Sequence, residues 1–150
     1  MKLQTSILLN SPIEMVWAKI IDIENCADTI SGIIKVEVLE KPQSGLIGFK
    51  WSETRVMFGK QADETMWITH SEDNHYYQTS AENGGAIYIS IMRVVQKGDQ
   101  VELSMEFKAE TTTLFAKIMS FIFTPLMKKS MLKMIHKDLE DIKASLEKHP

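Results

Sequence analysis

The spacing of hydrophobic residues changes twice along this chain. Between Leu3 and Leu9 apolar and polar residues alternate, which is typical of a strand with one better-buried face. The following run SPIEMVWAKIIDI, at 11–23, instead repeats its apolar residues every three or four positions, which predicts an amphipathic helix. From about residue 33 to 113 the alternation returns, and after TTT the helical spacing resumes to the end. The pattern predicts strand, helix, several strands and a long helix.

The start of the first helix carries several local signals. Ser11 is a good N-cap residue, Pro12 suits the first helical position, and Glu14 stands where it would complete a capping box. The segment ENCADTISG then predicts a turn with a short second helix, ended by Gly32.

The middle of the chain predicts antiparallel strands joined by short turns. Its strand-like runs are separated by KPQSG, GKQ, SEDN, ENGG and KGDQ, which are rich in turn-forming residues. The last run, VELSMEFKAET, alternates most regularly and predicts a sheet with one buried and one solvent-facing side. The strand-like runs are IIKVEVLE, GFKWSETRVMF, DETMWITH, HYYQTSA, AIYISIMRVV and VELSMEFKAET.

The C-terminal region predicts a long amphipathic helix. Pro125 lacks a backbone donor and is expected to kink or interrupt it, with the apolar run LFAKIMSFIF on the N-terminal side. No stretch is long and apolar enough to predict a membrane-spanning helix. The apolar stripe of the second half consists of Met127, Met131, Met134, Ile135, Leu139, Ile142 and Leu146.

Composition narrows the possible functions. The 150 residues predict a single domain, 1–150, that can bury a core without disulfides or metal. A net charge of −3 argues against binding to the phosphate backbone of nucleic acids. The single Cys26 and an N-terminus without a signal-peptide pattern predict a cytoplasmic protein. We expect a monomer or homodimer without stable membrane insertion.

Three motifs resemble those of a known superfamily. They are SPIEMVWAKIIDIE at the first helix, GFKWSETRVMFGK at a central strand, and HKDLEDIKASLE in the last helix. With the order of elements, they resemble the START/Bet v1-like (SRPBCC) superfamily, including its polyketide cyclase/dehydrase-like members. The resemblance implies an α+β helix-grip fold, in which a curved antiparallel sheet of about seven strands wraps around the long C-terminal helix. Two short helices follow the first strand.

The resemblance also implies an apolar cavity between the sheet and the last helix. Ligands of such proteins include lipids, sterols, polyketides and plant metabolites. The sequence itself also favours such a cavity, because a helix as uniformly apolar as LFAKIMSFIF must be covered on several sides or leave room for an apolar ligand. The expected ligand-binding residues are Trp51, Arg55, Met66, Tyr88, Met105, Phe115, Met119, Phe123 and Met127. For Met119, Met127, Met131 and Met134, ordinary core packing is the alternative.

Glu53 and Arg55 are the most suggestive polar residues. Two apart on a strand, they share a face with Trp51 and Met57. If that face lines the cavity, Arg55 could anchor a ligand carboxylate while Glu53 orients the ligand or acts as a base. If it faces solvent, they form an ordinary surface pair. Glu64 and Arg93, on neighbouring strands, leave the same two alternatives open.

The histidines give weaker signals. His70 is a further candidate catalytic residue, whereas none of the four histidines has the spacing of a zinc site, so no metal or cofactor is expected. The leading hypothesis is binding of a hydrophobic or amphipathic small molecule. The alternatives are a cyclase or dehydratase using the same cavity, and an interaction module for a chaperone or respiratory partner, with Trp67 on its surface.

Overall fold

The computed structural model describes residues 2–57, 59–83, 86–111 and 125–147. Strand β1 is followed by helix α1 and a short 3₁₀ helix, then by six strands and the long helix α2. The elements are β1 (Lys2–Leu9), α1 (Ile13–Ile20), the 3₁₀ helix (Ile23–Asp28), β2 (Ile33–Glu40), β3 (Lys50–Met57), β4 (Lys60–Glu72), β5 (Tyr76–Asn83), β6 (Ala86–Lys97), β7 (Gln100–Thr111) and α2 (Pro125–Glu147).

The seven strands form one antiparallel sheet with the order β1-β7-β6-β5-β4-β3-β2. Strands β2 to β7 pair with their sequence neighbours, and β1 crosses over to pair with β7, so that Leu9 lies opposite Val101. Register shifts interrupt β2 and the β4–β5 pair, and such bulges bend and twist a sheet. The curved sheet with its C-terminal helix is the helix-grip fold, which confirms the fold predicted from the sequence.

Helix α1 begins differently from the sequence prediction. It starts at Ile13, and its N-cap is Pro12, whose carbonyl accepts the first helical hydrogen bonds from the amides of Met15 and Val16. No side chain caps the helix. The predicted Ser11 cap and capping box are therefore wrong, because a start one residue later moves Glu14 from the third helical position to the second.

Helix α2 carries the predicted apolar stripe. Its buried positions include Met131, Ile135, Leu139, Ile142 and Leu146. Pro125 is the first described residue of the helix. The predicted kink involves the run LFAKIMSFIF, which lies outside the described residues. Over the described ranges no helix is long and apolar enough to cross a membrane.

The main core lies between α1, α2 and one half of the sheet. Leu9, Val16, Leu103 and Leu139 are completely buried there. The backbone of α2 lies close to β1, and over a shorter length to α1 and β7. A second, smaller cluster of Ile23, Phe49, Trp51 and Ile68 lies under the other half of the sheet. The space between these two clusters is the cavity described below.

The alternation in VELSMEFKAET predicts that one face of β7 is exposed to solvent, but this outer face is not uniformly exposed. Glu106 points to that side and is only 4% exposed. Its carboxylate accepts a hydrogen bond from Arg93 at 2.7 Å and forms ion pairs with Lys2 at 3.1 Å and Lys108 at 3.6 Å. The hydrogen bond from Arg93 is the main cause that lowers the pKa of Glu106 from 4.5 to about 2.

This pKa predicts how Glu106 contributes to stability. A carboxyl whose pKa is lower in the folded chain stabilises the fold above its unfolded pKa, and the contribution disappears as pH falls from about 4.5 towards 2. We expect Glu106→Gln to lower the free energy of unfolding at pH 7 and the difference from the unchanged chain to shrink in that acid window. Urea unfolding across pH 2.5 to 7 measures this, and a difference independent of pH would contradict it.

Candidate ligand cavity

A cavity of about 280 Å³ lies between the inner face of the sheet and helix α2, closed on another side by α1 and the 3₁₀ helix. Its wall is mainly apolar, and methionines are prominent in it. Because methionine side chains are flexible and polarisable, such a wall adapts to irregular partners. The lining methionines are Met57, Met66, Met92, Met105, Met127, Met131 and Met134.

A charged cluster occupies one part of this wall. Arg55 of β3 donates from Nη2 to Oδ2 of Asp138 on α2 at 2.9 Å, and from Nε to Oε2 of Glu53 at 3.3 Å. Trp51 donates from Nε1 to the other Glu53 oxygen at 3.4 Å. The Glu53, Arg55 and Asp138 side chains are only 10%, 13% and 7% exposed. These residues face inward, which excludes the surface-pair alternative.

Burial and mutual charge determine the protonation of this cluster. Burial opposes the charge of Arg55, but Asp138 and Glu53 outweigh it and raise its pKa, so the guanidinium stays charged. Burial also raises the pKa of Asp138, and Arg55 only partly counteracts this. The cluster therefore holds one permanent cation between two carboxyl groups.

Glu64 brings a further carboxyl group into the cavity. It lies on β4 directly opposite Glu53 of β3, and it also lines the cavity. Burial raises the pKa of Glu64, and the nearby charge of Glu53 raises it further. Among the described residues Glu64 has neither a salt bridge nor a hydrogen bond to its side chain. Facing carboxylates of this kind are common where a protein handles protons or polar ligand groups.

Cys26 and Tyr77 are also part of the polar lining. Burial raises the pKa of the half-buried Cys26 thiol to about 12, so it stays protonated at neutral pH and is a poor nucleophile. The hydroxyl of Tyr77 donates to the carbonyl of Ile20 at 3.2 Å, which ties β5 to α1. Burial raises the pKa of Tyr77 as well.

Most of the residues proposed from the sequence lie at this cavity. Glu53 lines it, and so do the ligand-binding candidates within the described ranges: Trp51, Arg55, Met66, Tyr88, Met105 and Met127. Phe115, Met119 and Phe123 lie outside the described residues. Whether these side chains contact a ligand stays a prediction.

Two of the other candidates lie elsewhere. His70 is exposed, and its Nδ1 lies 2.9 Å from the hydroxyl of Thr69, away from the cavity wall. This position removes the geometric basis for a catalytic role of His70 in the cavity. Arg93 pairs with Glu106 on the outer face of the sheet, so only Glu64 of that second pair reaches the cavity.

The sequence reasoning missed Asp138, Cys26 and Tyr77. Asp138 had a visible signal, because it lies three residues after Ile135 and four before Ile142, within the apolar stripe of α2. A carboxylate inside such a stripe calls for a buried partner. In the described part of the chain no three His, Cys, Asp or Glu side chains are grouped so as to hold a metal ion.

Solved structures with this fold share little sequence with the chain. A START superfamily protein from Mycobacterium smegmatis matches at TM-score 0.81 and 12% identity, covering 99% of both chains. Ara h 8.0201 matches at TM-score 0.75 and 11% identity, again covering 99% of both. The di-domain ARO/CYC StfQ from the steffimycin biosynthetic pathway matches at TM-score 0.76 and 8% identity. There the alignment covers 98% of this chain and 51% of StfQ. At such identities the similarity shows the fold alone.

The sequence comparison gives the family. No curated protein matches the chain. The family model described as polyketide cyclase / dehydrase and lipid transport matches residues 1–147, nearly the whole length. This confirms the resemblance to START/Bet v1-like proteins inferred from the motifs. The chain belongs to the polyketide cyclase/dehydrase and lipid transport family.

Proposed function

We propose that the protein binds a hydrophobic or amphipathic small molecule in the cavity between the sheet and α2. The single observation that carries this proposal is the cavity of about 280 Å³ with its largely apolar wall. Its size lies near the lower end of the range for small-molecule sites, which suits one chain or a small ring system. The description of the family, which names polyketide cyclases and lipid transport, supports a ligand of this class. The cytoplasmic location indicated by the single Cys26 stays a prediction.

Burial of apolar surface would supply the affinity. Each Å² of ligand surface removed from water contributes about 25 cal/mol, and the methionine-rich wall can close around ligands of different shape. The protein then acts as a carrier or store of its ligand. This proposal assigns no catalytic role to the polar residues and requires only that they do not prevent the ligand from binding.

A cavity-filling variant tests this proposal. Ser90 lines the cavity from β6, and Ser90→Phe would place an aromatic ring inside it. We expect this variant to lose at least tenfold in affinity for the uncharged apolar dye N-phenyl-1-naphthylamine, measured by fluorescence titration. Native mass spectrometry of the gently purified, unchanged chain is expected to show a co-purified small molecule that the variant lacks.

The matched control is the same substitution on the other side of the sheet. Ser52 is a partly buried residue of β3 that faces away from the cavity, between Trp51 and Glu53. Ser52→Phe is expected to leave dye binding unchanged. Equal binding by all three chains would contradict ligand binding in this cavity.

A cyclase or dehydratase in the same cavity is the second candidate. The observation that favours it is the facing pair Glu53 and Glu64, since burial holds the pKa of Glu64 above its ordinary value. A carboxylate of raised pKa beside an apolar ligand can take a proton from a carbon next to a ketone. That step begins an aldol-type ring closure.

Proton exchange gives a test that needs no natural substrate. If Glu64 is a base, the protein should accelerate deuterium exchange at the carbons flanking the ketone of 2-decanone in D₂O, followed by proton NMR. Glu64→Gln should remove most of this acceleration, about 100-fold or more, because general-base catalysis contributes about that much. An exchange rate equal to that of buffer alone would exclude the enzyme candidate for simple ketones.

A further inference from the structure

The only permanent cation of the charged cluster already has two carboxylate partners. Arg55 uses Nε for Glu53 and Nη2 for Asp138, and both carboxylates lie on the same guanidinium. On another side the guanidinium lies against Gly32, where a Cβ would stand 3.8 Å from Nη1. A ligand carboxylate that approached Arg55 would be repelled by both of these carboxyl groups, which already outnumber the single positive charge. Arg55 is thus poorly placed to anchor an anion.

Glu64 presents the opposite situation. It is an acceptor in the cavity wall that no described donor satisfies, and it stands across from a second carboxylate, Glu53. Glu64 is only partly buried, and among the described residues no buried side-chain oxygen lacks a partner, so its carboxylate is open to the cavity. A ligand that fills the cavity removes water from this carboxylate, which is costly without a new partner, and the like charge opposite adds to the cost. A ligand that itself brings a hydrogen-bond donor to Glu64 avoids this cost.

The charged side chains that face the cavity are mostly negative. Three carboxyl groups, Glu53, Glu64 and Asp138, face inward against the single Arg55. Lys19 of α1 also lines the cavity, but it is not among the charges that act on Glu64 or Asp138. The phenol of Tyr88 is near enough to Glu64 to be influenced by its charge, so this part of the wall is polar but not cationic.

We infer that the ligand carries a hydrogen-bond-donating head group without negative charge, a hydroxyl or a protonated amine, which is bound at Glu64 while its apolar part fills the methionine-rich cavity. This inference rests on the proposed function and names the chemical class of its ligand. It also replaces the sequence-based expectation of a ligand carboxylate held by Arg55.

Three probes with the same eight-carbon tail test the inference. Octan-1-amine, octan-1-ol and octanoate differ only in the head group, so differences in their affinity report the polar end of the cavity. At pH 8, in competition with an apolar dye, we expect the amine and the alcohol to bind at least tenfold more tightly than octanoate. Octanoate binding as tightly as the other two would overturn the inference and leave the proposed function intact. If none of the three displaces the dye, the inference fails, and dye binding that Ser90→Phe abolishes would still support the cavity.

A variant locates the effect at one side chain. In Glu64→Gln the amine should lose at least tenfold in affinity, while octanoate should bind as well as before or better. Glu37→Gln makes the same chemical change at an exposed position of β2 and should alter none of the three affinities. Thermal unfolding confirms that both variants are folded. An amine affinity that is equal in the unchanged chain and in Glu64→Gln would show that Glu64 does not bind the head group.

Discussion

One helix cannot cover the inner face of a seven-stranded sheet. At about 4.8 Å between strands the sheet is about 29 Å wide, whereas a helix with its side chains is about 10 Å across. Helix α2 lies against β1 and β7, where Leu103 and Leu139 are completely buried. The other strands curve past it and are covered partly by α1 and the 3₁₀ helix. The cavity is the part of the inner face that these elements leave uncovered.

The charged residues of the cavity are costly for the fold. A buried ion pair often contributes nothing to stability, because the loss of hydration offsets the attraction between the charges. The contact between Arg55 and Asp138 nevertheless joins β3 to α2 across the cavity, where the backbones of these two elements are not close. It therefore links the sheet and the helix directly through side chains. Groups of this kind, in a cleft and with shifted pKa values, are more typical of sites than of structural cores.

Strand alternation and helical spacing predicted most of the helices and strands, because each depends only on neighbouring residues, whereas the curved sheet around the last helix was expected from the family resemblance. They could not decide which face of β3 is inward, since Trp51, Glu53 and Arg55 share a face whichever way it points. That answer needed the complete sheet. The pairing of Glu53 with Glu64 depends on the register of the β3–β4 hairpin, and the burial of Glu106 depends on Arg93 from β6 and Lys2 from β1. The wrong cap at Ser11 shows the limit of local signals, since a shift of one residue leaves the sequence motif unchanged but removes its geometry.

The pairing of β1 with β7 has a consequence for how the chain folds. Lys2 lies opposite Lys108, so the first strand finds its partner about a hundred residues later in the sequence. During synthesis β1 is made long before β7, so Leu9 and the other apolar side chains of β1 stay unburied until β7 is available. Strands β2 to β7 can pair with their neighbours in order. Contacts between such distant segments slow folding, because the entropy of closing a large loop is lost before the contact forms. Closing this pair late also makes β1 the strand most exposed to aggregation in a newly made chain.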